Sequence, residues 1–149
     1  MREGLPAPTG RSRSHRAADG KGRQILATHD IVTFIATTDL ARARPFYADA
    51  LGLTLLAEDS YACTFDTDGT TLRVTLVEKA AVAPYTVFGW SVPDIDLVIR
   101  SLNDTGVVFE RFEGMEQSDL GVWTAPNCSQ VAWFKDPDGN TLSVTQDPT

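Results

Sequence analysis

The sequence predicts an α+β fold made of two tandem βαβββ modules, and three observations carry that expectation. The stretch "DTDGTTLRV" (66–74) returns seventy positions later as "DPDGNTLSV" (136–144), both in the frame Asp-x-Asp-Gly-x-Thr-Leu-x-Val. Two aspartates, Asp39 and Asp94, each follow a β-branched apolar run and precede a helical pattern. In each half the helix is then followed by short strand-like runs, so the order of elements repeats.

The run "IVTFIATT" (31–38) predicts a strand, and Asp39 suits the N-cap of a helix through "LARARPFYADAL" (40–51). Leu40, Ala43, Phe46, Tyr47 and Ala50 share one helical face, and Gly52 closes the C-terminal end. Three strands follow at "LTLLAED" (53–59), "YACTFDTD" (61–68) and "TTLRVTLVE" (70–78). In the second half "YTVFGWSV" (85–92) predicts a strand, and "PDIDLVIRSLNDTG" (93–106) a helix that starts near Asp94 and ends before Gly106. Strands are expected at "VVFERFE" (107–113), "VWTA" (122–125), "SQVAWFKD" (129–136) and "TLSVTQ" (141–146). The helix aspartates are 55 apart and the turn aspartates 70 apart, so about 15 residues are inserted in the second half, in "GMEQSDLGVWTAPNCS" (114–129).

The 149 residues suit one domain. Residues 28–149 form it, with module one over about 30–79 and module two over about 84–146. Residues 1–27, rich in Gly, Pro, Ser and Arg and without hydrophobic periodicity, read as a flexible basic tail. Hydrophobic residues at 42% and charged residues at 22% lie in the globular range, which excludes collagen, coiled coil and wholesale disorder. No apolar run approaches the roughly 18 residues of a membrane span, and no secretory leader is evident, so no membrane partner and a cytoplasmic location are expected.

The tail carries six basic side chains (Arg2, Arg11, Arg13, Arg16, Lys21 and Arg23) against Glu3 and Asp19, which leaves 7 basic and 18 acidic residues beyond it. So acidic a body disfavours nucleic acid, whose phosphates need clustered Lys and Arg. Cys63 and Cys128 lack Cys-x-x-Cys spacing and read as two reduced thiols.

The motifs "TTDLARARPFYADALGL", "SVPDID" and "FKDPDGN" resemble those of the vicinal oxygen chelate superfamily, which includes glyoxalase I, extradiol dioxygenases, fosfomycin-modifying enzymes and bleomycin-resistance proteins. The resemblance covers about residues 30–146. It implies that each module curls its sheet into an open half-barrel whose concave face holds the ligand.

In metal-dependent members the resemblance implies four ligands, usually His and Glu, from the first and last strand of each module. Those positions here are Val32, Arg73, Val87 and Ser143. Valine offers no donor and a guanidinium stays positively charged, so no metal and no cofactor are expected. His29 falls on the opposite strand face, and His15 lies in the tail.

If Ser143 faces the concavity, alternation places Thr141 and Thr145 beside it, and Arg73 brings Thr71 and Thr75. Val32 brings Phe34 and Ala36, and Val87 brings Gly89 and Ser91. The expected pocket is neutral, hydroxyl-lined and partly apolar, with Arg73 its strong charge. Two roles are open to Arg73: a bidentate clamp on a ligand carboxylate or phosphate, or an ion pair with Glu113 or Glu116. Trp123 and Met115, in the inserted segment, are candidates for ligand contact, and Phe112 and Tyr61 could stack on a flat ligand. Trp90 and Trp133 are expected in the helix-to-sheet core instead.

The expected ligand-binding set is therefore Phe34, Arg73, Thr75, Ser91, Trp123 and Ser143, with no catalytic residue. Without a pocket histidine or a Cys-His pair, nucleophilic chemistry lacks its base. The chain reads as a metal-free binding protein that sequesters an unknown small molecule, as the bleomycin-resistance resemblance implies. The alternatives are a lyase, isomerase or dioxygenase-like enzyme with a non-standard site, and a protein-interaction module. Open half-barrels leave edge strands to cover, so a homodimer is expected.

Overall fold

Strand β1 (Val32–Thr37) takes its pleat from the β-branched run that was expected to form it. Ile35 and Thr37 are buried on one face while Val32 and Phe34 stand exposed on the other. The chain is described by a computed structural model over residues 23–149. The flexible-tail expectation for residues 1–22 lies outside the described residues.

Helix α1 (Leu40–Pro45) opens on Asp39, whose carboxylate accepts a hydrogen bond from the Arg42 amide at 3.2 Å. The expected single helix to Leu51 changes character after Pro45. Phe46–Ala50 form a π-helical turn, closed by the Leu51 amide donating to the Phe46 carbonyl at 2.9 Å. Pro45 has no amide to give to the preceding turn, and the wider turn begins where that bond is missing. Strands β2 (Thr54–Glu58), β3 (Ala62–Thr67) and β4 (Thr70–Leu76) complete a four-stranded sheet in the order β1-β4-β3-β2, with β1 parallel to β4.

The second module repeats the plan with β5 (Thr86–Ser91), helix α2 (Ile95–Asp104), β6 (Trp123–Thr124), β7 (Gln130–Lys135) and β8 (Thr141–Gln146). Its sheet order is β5-β8-β7-β6, and Asp94 caps α2 by accepting from the Leu97 amide at 3.2 Å. Both sheets are mixed and unclosed, as open half-barrels require. No helix among the described residues is long and apolar enough to cross a membrane.

The strand expected over 107–113 does not form. Phe109 makes one isolated antiparallel bridge to Phe134, and the Glu110 amide donates to the Trp133 carbonyl at 2.7 Å. The edge then resumes at β6, where Trp123 pairs with Val131. The intervening loop is tied by one side chain: Gln117 donates to the carbonyls of Glu110 and Gly121 and accepts from the Phe112 amide at 2.8 Å. These local bonds take up the backbone groups that a continuous edge strand would have offered to β7.

One face of each sheet lies against the helices. Ile35, Cys63, Phe65, Leu72 and Val74 of the first sheet join Ala132, Phe134, Leu142 and Val144 of the second, with Ala43, Tyr47, Ile95 and Ile99 from the helices, in one buried cluster. Each fully buried large side chain contributes roughly 1.5–3 kcal/mol. Cys63 is buried, Cys128 is exposed, and the two do not pair.

The turn 136–140 of module two docks onto module one. Asp138 accepts from the Thr37 hydroxyl, from the Thr38 amide at 3.0 Å and from the Arg42 guanidinium at 2.7 Å. The buried Asn140 side chain donates to the Ala36 carbonyl at 3.0 Å and to Asp136 at 2.8 Å. In the reciprocal place, the Trp90 indole N–H donates to the Thr67 hydroxyl at 2.9 Å.

Candidate functional site

Register decides which residues share the sheet faces turned away from the helices. On the first sheet Phe34 lies beside Arg73, Ala36 beside Thr75, and Thr64 across from Arg73. The Arg73 guanidinium carbon sits 5.7 Å from the centre of the Phe34 ring, within cation–π reach. Phe34 is 63% exposed. Among the described residues the ion pairs are Arg42–Asp138 and Arg44–Glu58, so Arg73 pairs with neither Glu113 nor Glu116. The Thr75 hydroxyl oxygen is buried and has no hydrogen-bond partner among the described residues.

On the second sheet one row runs Trp123, Val131, Thr145, Ser91, and the next runs Trp133, Ser143, Gly89. Ser143 is buried, and Gly89 lies against it so closely that a β-carbon there would stand 2.4 Å from the Ser143 hydroxyl oxygen. That closeness explains why β5 carries a glycine beside this serine.

All six expected ligand-binding residues therefore fall on these two open faces: Phe34, Arg73 and Thr75 on the first, Ser91, Trp123 and Ser143 on the second. Trp133 corrects the expectation that it fills the helix-to-sheet core. It stands opposite Ser143 and shares that residue's face, because directly paired residues of an antiparallel ladder point the same way. Its ring meets Trp123 at 6.2 Å and Phe112 edge-on at 5.5 Å, and its N–H donates to the Thr86 hydroxyl at 3.1 Å. The three rings make an aromatic shelf that residue types alone showed only in part. Trp90 does lie on the helix side, stacked on Phe134 and edge-on to Phe88.

The four positions at which a metal would be held do not fit one. Val32 and Val87 are aliphatic, Arg73 is a cation engaged with Phe34, and the Ser143 hydroxyl is packed over Gly89. Among the described residues no three His, Cys, Asp or Glu side chains converge as a metal would need. His29 lies in an exposed turn before β1.

Titratable groups with shifted pKa values lie away from these faces. Burial pushes the Tyr47 phenol far up, and the Asp136 carboxylate it touches adds to the rise. Burial, with Glu58 nearby, also pushes the Cys63 thiol up. Burial alone would raise the Asp138 carboxyl, but hydrogen bonds from Thr37 and Thr38 and the Arg42 charge outweigh it and hold it below the ordinary value.

A family model described as the Glyoxalase/Bleomycin resistance protein/Dioxygenase superfamily matches residues 28–144. Solved structures share the fold at low identity. A glyoxalase/bleomycin resistance protein/dioxygenase from Alicyclobacillus acidocaldarius is 21% identical with a TM-score of 0.61, over 81% of this chain and 92% of the other. A lactoylglutathione lyase from Agrobacterium tumefaciens is 18% identical with a TM-score of 0.62, over 80% and 93%. TioX from Micromonospora sp. ML1 is 17% identical with a TM-score of 0.60, over 80% and 99%. Comparison with curated protein sequences gives no match.

Proposed function

Because the chain belongs to the glyoxalase/bleomycin resistance protein/dioxygenase superfamily, we propose that it is a metal-free small-molecule-binding protein that sequesters its ligand without converting it. The observation that carries this reading is the donor set at Val32, Arg73, Val87 and Ser143, which provides neither a metal seat nor a base. What the open faces do provide is an aromatic shelf of Phe112, Trp123 and Trp133, hydroxyls, and a guanidinium stacked on Phe34. That combination suits a flat aromatic compound bearing an acidic group, with the rings against the shelf and the acid on Arg73. Phe34, Arg73, Thr75, Ser91, Trp123 and Ser143 form the ligand contacts, and Trp133 joins them.

The protein works as a cytoplasmic homodimer. Val32 and Phe34 expose apolar surface on one sheet, and Val87 and Phe112 do so on the other, which a second copy would cover while enclosing the ligand. The functional unit is the domain 28–149, its modules over about 30–79 and 84–146, with the basic tail outside the binding role and no nucleic-acid or membrane partner.

Two measurements on untagged protein test the proposal. Metal content is read after soaking in Mn, Fe, Ni and Zn and desalting, and a panel of flat aromatic acids is titrated by tryptophan fluorescence. Saturable quenching with the compound recovered intact, and no retained metal, is the expected result. One tightly held metal per chain, or a converted compound, would transfer the protein to the lyase, isomerase or dioxygenase class of the family.

A further inference from the structure

The two modules meet at two seams related by the internal repeat, and the seams are filled differently. Eight positions after Asp39 the first helical segment carries Tyr47; eight after Asp94, α2 carries Leu102. At the first seam the Tyr47 ring is fully buried against Phe65, and its hydroxyl reaches Asp136 in the other module's turn. At the second seam the shorter Leu102 has no such reach, and a cleft of about 340 Å³ remains. Its apolar walls include Leu51, Leu53, Trp90, Val98, Leu102 and Phe134, and its polar side comes from Thr67, Asp68 and Ser91.

Trp90 and Phe134 belong to the helix-side face of sheet two, with Val144 and Leu142, so the cleft lies across the sheet from Trp133 and Ser143. Of the residues placed on the open faces above, it touches Ser91 alone, at the end of β5. A cavity of roughly 150 Å³ lined by Leu, Ile and Phe admits a benzene ring, and about twice that volume suits two fused rings. Asp68 is the charged residue of the lining. It adopts φ of 55°, in the left-handed region that Asp and Asn tolerate better than most residues, as part of the turn facing the second seam.

We infer that the second seam is an additional binding site, for a two-ring aromatic amine. Its rings take the space that Tyr47 fills in the first seam, and its ammonium pairs with Asp68. The charge preference is opposite to that of the Arg73 face, which separates the two sites experimentally.

The test is isothermal titration calorimetry of the full chain carrying Arg73→Ala, which removes the cation of the open faces, with 2-naphthylmethylamine, and with 2-naphthoate as the anionic counterpart. Saturable one-to-one binding of the amine, at least tenfold tighter than the carboxylate at this site, is expected. Leu102→Tyr, which writes the first seam's ring into the second, should abolish amine binding and raise the melting temperature. Asp68→Asn keeps the backbone conformation and should erase most of the preference for the amine. If Leu102→Tyr fails to fold, the Asp68→Asn comparison decides. Absence of saturable binding at millimolar amine, undiminished binding in a folded Leu102→Tyr, or an unchanged amine preference in Asp68→Asn would overturn the inference.

Discussion

Tyr47 and Asp136 meet across the module seam, the phenol donating to the carboxylate at 2.5 Å over a sequence separation of 89 residues. Asp136 also accepts from the Asn140 amide and side chain, each at 2.8 Å, so the ring closes a buried polar knot instead of leaving a lone carboxylate. Tyr47→Phe keeps the ring and removes one bond of that knot. It should destabilise the fold by about 1–3 kcal/mol, the range for losing one partner of a buried hydrogen bond. Tyr47→Ala also opens a cavity and should cost roughly 3–5 kcal/mol. Urea unfolding followed by circular dichroism measures both, and equal stabilities for the two variants would contradict the packing described.

Asp138 sets an acid limit on the same seam. Its carboxyl titrates below the ordinary value of 3.8, so its stabilisation is complete above that value and is lost as pH falls through the lower folded value. Asp138→Asn should therefore be less stable than the parent at neutral pH, and the gap should close on acidification below about pH 4. Thermal melts of the pair from pH 7 to pH 2.5 check this. A gap that persists at the acid end would show that the carboxylate charge is not what joins Asp138 to Arg42, Thr37 and Thr38.

Gly89 and Ser143 are coupled by space. In Gly89→Ala the new carbon would meet the Ser143 hydroxyl oxygen at 2.4 Å and the Ser143 carbonyl oxygen at 2.9 Å, so β5 and β8 must separate. A loss of about 1–3 kcal/mol is expected. Adding Ser143→Gly should recover part of it, since the hydroxyl contact disappears and the backbone contact stays. A double-mutant cycle by chemical unfolding reads the coupling, and strict additivity of the two changes would disprove the contact.

Ligand affinity on the open faces should respond to charge and stacking separately. Arg73→Ala should weaken a flat aromatic acid by about 10- to 100-fold, as expected for losing a charge-assisted bond. Trp133→Ala should weaken the neutral and acidic forms of one compound alike. Fluorescence titration of an acid and its methyl ester against both variants distinguishes the two contributions.

Much of this architecture is legible in the residues. The Asp-x-Asp-Gly frame and the two capping aspartates are local signals, and local signals place β3, β4, β7, β8 and both helix starts correctly. Alternation along β1 and β4 also places Phe34, Arg73 and Thr75 on one face without reference to tertiary structure. The strand at 107–113 fails for a reason that periodicity does not carry: Gln117, a polar residue a few positions on, diverts that backbone into loop bonds. Trp133 is misplaced because its face depends on how the turn 136–140 sets Lys135 opposite Thr141, a count that residue types do not display. The Tyr47–Asp136 bond is invisible for a similar reason, since nothing local to either residue names the other.

The seam also orders events during synthesis. Thr37, Thr38, Arg42 and Tyr47 leave the ribosome 89 to 101 residues ahead of Asp136 and Asp138, the carboxylates they serve. A ribosome that has delivered module one has delivered a sheet whose polar clasp is still untranslated, and whose Tyr47 hydroxyl has only water to bind. The half-made protein must therefore wait open through the synthesis of about sixty further residues, from the end of module one near 79 to Asp136, a window in which its unpaired edge is exposed to other nascent chains. The seam closes only when the 136–140 turn of module two swings back to clasp module one.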